Sequence, residues 1–137
     1  MRTLLGIATA MAVFACGGAA AASMTKDEYN AGKARIVEEY GAARKKCGPR
    51  LGNSTDVCFA RARGAQKVAN AELRAAYRPS PRANYEAAVA RADAEFGVAK
   101  QQCDDQAGDA KKACLRDARA ARDRMKTDAR AATATPR

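Results

Sequence analysis

Four cysteines, Cys47, Cys58, Cys103 and Cys114, are the residues of this chain best suited to metal binding or covalent chemistry. Cys47 and Cys58 are 11 positions apart, and so are Cys103 and Cys114. Zinc sites draw their ligands from pairs separated by roughly two to four residues. Ten residues intervene in each pair here, and the chain has no histidine. A redox enzyme would need a Cys-x-x-Cys motif with a perturbed thiol, and none is present. Two disulfides are therefore expected, with no metal and no cofactor.

Other catalytic chemistry is poorly provided for. Without histidine a Ser-His-Asp arrangement is excluded. Glu38-Glu39 and Asp104-Asp105 are neighbours in sequence, so on a helix they point in different directions and read as surface acids. Two acids without a dedicated loop are a weak cation site, and no glycine-rich phosphate loop occurs. The chain is not expected to be an enzyme.

The remaining chemistry is charge. Lys112, Arg116, Arg119, Lys126 and Arg130 recur at helical spacing, as an anion-binding ridge would require. Asp117, Asp123 and Asp128 are interleaved and within i,i+4 reach of arginines, so a solvated, salt-bridged face is the competing and preferred reading. No aromatic residue alternates with the ridge, which argues against a stacking platform for single strands and against specific nucleic-acid recognition. Net charge is +10, and such a balance favours anionic partners.

The elements that position these residues follow from a duplication. The second cysteine pair lies 56 positions after the first, and the same offset maps Tyr29 onto Tyr85, Tyr40 onto Phe96, Gly41 onto Gly97 and Gly52 onto Gly108. A fixed period marks a repeated structural unit. In each unit the cysteines stand five residues either side of Gly52-Asn53 or Gly108-Asp109. Glycine past a helix end followed by Asn or Asp joins a stop signal to a start signal. Positions equidistant from such a turn face each other in an antiparallel hairpin, within the roughly 4.4–6.8 Å between Cα atoms that a disulfide needs. The spacing thus predicts Cys47–Cys58 and Cys103–Cys114 bonds, each on a helix–turn–helix hairpin.

Helical periodicity supports the hairpins. Tyr29, Lys33, Ile36, Tyr40, Ala43 and Cys47 form the inward stripe of the first helix, capped by Thr25 with Asp27 and Glu28 in the first turn. Lys33 is its polar exception, and Gly32 beside it would let another backbone approach. The third helix repeats the stripe with Tyr85, Val89, Ala92, Phe96, Ala99 and Cys103. The return helices carry Cys58, Ala62, Ala65, Ala69, Leu73 and Ala76, then Cys114, Ala118, Ala121, Met125 and Ala129. Pro49 should end the first helix early. The bulkier stripe of the second hairpin predicts that it resists unfolding better, with Phe96→Ala losing roughly 3 kcal/mol if the ring is buried.

The chain divides accordingly. Residues 1–22 read as a secretory signal peptide: a positive start at Met1-Arg2, an apolar run over residues 3–15 and small residues Ala20-Ala21-Ala22 before Ser23. The run is shorter than the roughly 20 residues of a membrane span, and no transmembrane span is expected in the mature chain. Val13-Phe14-Ala15-Cys16 resembles a lipoprotein cleavage motif, although Phe14 replaces the usual small residue. Cys16 is read as discarded with the signal, with lipid anchoring the alternative. Residues 23–78 form the first hairpin repeat, 79–82 a Pro-rich linker, 83–130 the second repeat and 131–137 a flexible tail. The fold class is all-α: two tandem disulfide-stapled antiparallel helical hairpins, which the short linker allows to stay extended or to close into a four-helix bundle. With 36 alanines, the core must be thin, since alanine favours helix but buries little surface.

These features resemble a group of small exported proteobacterial proteins with a tyrosine-rich start, a Cys, a Gly-Asn or Gly-Asp turn, a second Cys, and a stretch like Ala71-Glu72-Leu73-Arg74-Ala75-Ala76-Tyr77-Arg78-Pro79. Such proteins are sometimes likened to TolA, a cell-envelope protein with an alanine-rich helical stalk. The resemblance implies an envelope setting and no catalytic residues. Function is expected to be that of a non-enzymatic periplasmic structural or protein-interaction module. The alternative is a cationic module that binds anionic envelope polymers, lipids or lipopolysaccharide.

Overall fold

The computed structural model describes residues 24–49 and 52–134. The signal-peptide and Cys16 readings lie outside the described residues, as does the end of the tail at 135–137. Helices run in the order α1 (Lys26–Lys45), α2 (Ser54–Tyr77), α3 (Pro81–Cys103) and α4 (Gly108–Thr133).

Local signals explain most boundaries. Thr25 and Glu28 form a reciprocal capping box: the Glu28 N–H donates to Thr25 Oγ1 at 3.2 Å, and the Thr25 N–H donates to Glu28 Oε2 at 2.7 Å. These two exchanges satisfy donors that a helix start leaves open. The hydrogen bond from the Thr25 backbone, then that from its hydroxyl, hold the Glu28 carboxyl below its ordinary value of 4.5. A depressed folded-state pKa adds stability that is present above the unfolded value and disappears as pH falls through the folded one. Acidification below pH 4.5 should therefore fray the first turn of α1 first. Faster amide exchange at Asp27–Tyr29 than in mid-helix would show it, and Thr25→Ala should abolish the pH dependence.

α3 begins inside the Pro-rich segment. Ser80 accepts from the Ala83 N–H at 3.0 Å and Pro81 takes the first helical position, where its missing N–H and fixed φ are suited. Only Arg78, Pro79 and Ser80 are left between α2 and α3. At the other end, α4 continues through Thr133, so helix replaces the first part of the expected flexible tail.

The hairpin tips differ from expectation in one respect. The helices do not stop at the glycines. α1 ends at Lys45 and α3 at Cys103, each with a right-handed cap, while Gly52 (φ 59°) and Gly108 (φ 56°) sit at the entrance to the return helices. There the chain needs a left-handed residue to swing into α2 or α4, and a side chain would be strained. Asn53 occupies the N-cap position but makes no side-chain cap. Its amide instead donates to the Gln101 carbonyl on α3, which also accepts from the Asp104 N–H at 3.0 Å, and so ties the first tip to the end of α3. α1 also ends two residues before Cys47, whereas α3 reaches Cys103 itself. Pro49 accounts for this: it has no N–H for the Lys45 carbonyl, and its ring clashes with that carbonyl.

Both disulfides form as the spacing predicts, with Cα–Cα distances of 5.5 Å for Cys47–Cys58 and 5.7 Å for Cys103–Cys114. Cys47 and Cys103 are buried.

The hairpins pack together side by side. α1 lies on α2, α2 on α3 and α3 on α4, and among the described residues no other pair of helices meets. The bundle is therefore open, a single layer of antiparallel helices with α1 and α4 at its edges. Its core is as thin as the composition implies: among the described residues it is Ile36, Ala60, Ala62, Ala71, Ala87, Ala92, Cys47 and Cys103, with no buried polar side chain. Burial of so little apolar surface limits the hydrophobic contribution.

A middle helix in such a layer must bury two opposite stripes. On α2, Ala62 faces Ile36 and Ala43 of α1, while Gly64 meets Ala94 of α3. Ala60 and Ala71 share the Gly64 side of the helix at 100° per residue. The single stripe read for α2 found only the first of these faces, and Ala65 and Ala76 from it are exposed. On α1, Lys33 is exposed and Gly32 is the buried position. The Leu73 side chain, rather than a backbone, packs over Gly32. α4 buries no residue.

Phe96 is half-buried, not enclosed, and the Arg122 guanidinium lies 4.7 Å from its ring centre. Phe96→Ala should thus lower stability by about 1–2 kcal/mol, below the roughly 3 kcal/mol of a fully buried ring. Urea unfolding of Phe96→Ala, Arg122→Ala and the double variant would check this, with non-additive losses expected from the shared contact.

Candidate functional site

The layer has two broad faces, and the charges are sorted between them. The 100° step per residue places Lys112, Arg116, Arg119, Lys126 and Arg130 within about 80° of the α4 circumference, on one side of the α3–α4 contact. The ridge read from the sequence is therefore one face of one helix. Arg63 and Arg74 of α2 and Arg82 of α3 occupy the same side of the layer. The opposite side carries the shallow grooves that share Ala99 and Gln102. There Arg61 and Arg124 are balanced by Glu95 and Asp117, among many alanines.

Partners within the ridge differ from those expected. Lys112 pairs with Asp109 at 3.1 Å. Lys126 reaches across to Asp93 of α3 at 2.6 Å rather than to an acid of its own helix. Arg130 lies 5.8 Å from the Tyr85 ring centre, with Nη2 3.4 Å from the Tyr85 hydroxyl. Asp123 takes its neighbour Arg122 at 2.8 Å, so the anticipated i,i+4 Asp–Arg ladder does not form. Arg116 and Arg119 are exposed, with no ion-pair partner among the described residues.

Aromatic rings contribute to this surface from other helices. Tyr85 and Phe96 of α3 lie under Arg130 and Arg122 of α4. Arg44 of α1 is shared between Tyr40 and Phe59, 5.6 and 5.7 Å from their centres. Tyr29 and Tyr77 stack at 4.5 Å, and carry Lys33 and Arg78 over their rings. Cations within about 6 Å of a ring centre and over its face are attracted to it. A search for aromatics within the ridge sequence misses all of these contacts, because the rings lie on α1, α2 and α3.

The acids on this face are largely committed. Glu86 holds Arg82 at 2.9 Å, and Asp104 holds Lys111 at 2.8 Å. Each of these pairs is exposed, worth about 0–1 kcal/mol, and Arg63, Arg74, Arg116 and Arg119 are among the cations without an ion-pair partner among the described residues. Among the described residues no group of three or more Cys, Asp or Glu is placed to hold a metal ion, and no helix is long and apolar enough to cross a membrane. Comparison with protein-family models, curated proteins and solved structures found no match.

Proposed function

We propose that this chain is a non-enzymatic module of the bacterial cell envelope that works through its surfaces. The observation that carries the reading is the single layer of helices, stapled at two tips, with both broad faces open. A globular enzyme buries one core between packed layers. A layer without a second layer presents area for other molecules. Two disulfides suit an oxidising compartment, and the signal-like start and the resemblance to small exported proteobacterial proteins support a periplasmic setting.

A second reading, binding of anionic envelope polymers, lipids or lipopolysaccharide, is favoured by the sorting of charge onto one face. The two readings respond differently to salt. Ionic contacts weaken as the screening length falls from about 10 Å at 0.1 M to about 3 Å at 1 M. Helix-on-helix partnering buries apolar surface and persists. Capture from envelope extract at both ionic strengths separates them: partners retained at high salt support the interaction module, and partners lost support the cationic one. An absence of envelope partners at both strengths would sink both readings.

A further inference from the structure

The turn between α2 and α3 closes one end of the layer with a cleft of about 680 Å³, lined by Tyr29, Tyr77, Arg74, Arg78, Arg82 and Glu86. It opens on the basic face but is separate from the α4 ridge. The three arginines follow one another at four-residue intervals across the turn. Glu86 neutralises Arg82. Arg78 lies 5.4 Å from the Tyr77 ring centre, and Arg74 has no ion-pair partner among the described residues. The stacked Tyr29–Tyr77 pair forms the wall toward α1.

The geometry points to a binding site for a phosphomonoester carried on a sugar-sized group. The inference rests on the cationic reading above. A single arginine fork matches a carboxylate. Several guanidiniums around one cleft suit a tetrahedral dianion with three terminal oxygens. The cleft is within the roughly 300–1,000 Å³ of small-molecule sites, far more than a bare phosphate fills, so the esterified group has room beside the tyrosines. Free sugar phosphates and phosphorylated glycolipid headgroups both present this chemistry.

Calorimetric titration of the oxidised protein with glucose 1-phosphate tests it, at one fixed salt concentration. Binding should be lost or weakened about tenfold or more in Arg74→Gln and in Arg78→Gln, the scale of one charged hydrogen bond. Both side chains are exposed, and unchanged thermal melts would confirm that the variants fold. Glucose should not bind, and glucuronate should bind about tenfold more weakly or less. Affinity should fall between pH 7.5 and 5, because the ester's second ionisation lies near about pH 6 while arginine stays charged. Vesicles containing a phosphorylated glycolipid form the second arm. Arg74-dependent binding to vesicles without binding of the free sugar phosphate assigns the ligand to a lipid surface. Equal affinity for glucuronate, no Arg74-dependent binding in either arm, or an equal loss in Arg116→Gln/Arg119→Gln would overturn the cleft. If only the α4 variant loses vesicle binding, the cleft fails while the cationic reading stands.

Discussion

Reduction of both disulfides should lower the melting temperature clearly and release α4 before α1. Each bond closes a loop of about 12 residues, which the chain-entropy model values at about 3 kcal/mol. Two such losses are large against the ordinary margin of about 5–15 kcal/mol, and the buried apolar residues here are few and small. The sequence alone suggests that the second hairpin resists better, because Tyr85, Val89 and Phe96 are bulkier than their counterparts. The structure adds a contrast between the two outer helices. α1 buries Gly32 and Ile36, whereas α4 buries nothing and is held by the Cys103–Cys114 bond, by ion pairs to Asp93 of α3 and to Asp104 just past its end, and by Arg122 over Phe96. Amide exchange in the reduced protein should accordingly show α4 losing protection first, the more so at high salt. Circular dichroism melts unchanged by reduction would mean that helix packing, not the staples, dominates stability.

Gly64→Leu should cost about 3 kcal/mol, the upper end of ordinary overpacking, by prising α2 from α3. A Cβ at Gly64 would stand 2.9 Å from the Ala94 Cβ and 3.4 Å from its Cα. Neither atom can rotate aside, so the helices must separate. Gly64→Ala is the sharper probe. Helix propensity favours it by about 1 kcal/mol, while the forced separation costs about 1–3 kcal/mol, and the second effect should win. Ala94→Gly in the same chain should recover much of the loss, giving a coupling above about 0.5 kcal/mol in a double-variant cycle. Gly32→Ala provides the contrast. Its Cβ would meet Leu73 Cδ1 at 2.8 Å, but that is the end of a flexible side chain, so a small change is expected. A stabilised Gly64→Ala without coupling would show that α2 and α3 are not in close contact.

The amino-acid sequence by itself determined the staples, the helices and most of their ends. Cysteines at equal distances from a turn must meet in a hairpin, and Thr25, Pro49 and the Gly52 and Gly108 turns act within a few residues of themselves. Such signals are local, so they are legible without knowing any neighbour. The ridge of Lys112, Arg116, Arg119, Lys126 and Arg130 was legible as one helical face for the same reason. Tertiary structure decided the rest. In a chain this rich in alanine nearly every helix face reads as packable, so periodicity cannot say that α2 and α3 bury two faces and α4 none. Nor can it say which acids and rings the ridge meets, since Asp93, Tyr85 and Phe96 come from α3. The cleft of Arg74, Arg78 and Arg82 exists only because Pro79 and Pro81 turn the chain back between them, bringing α3 alongside α2 and the tyrosine wall.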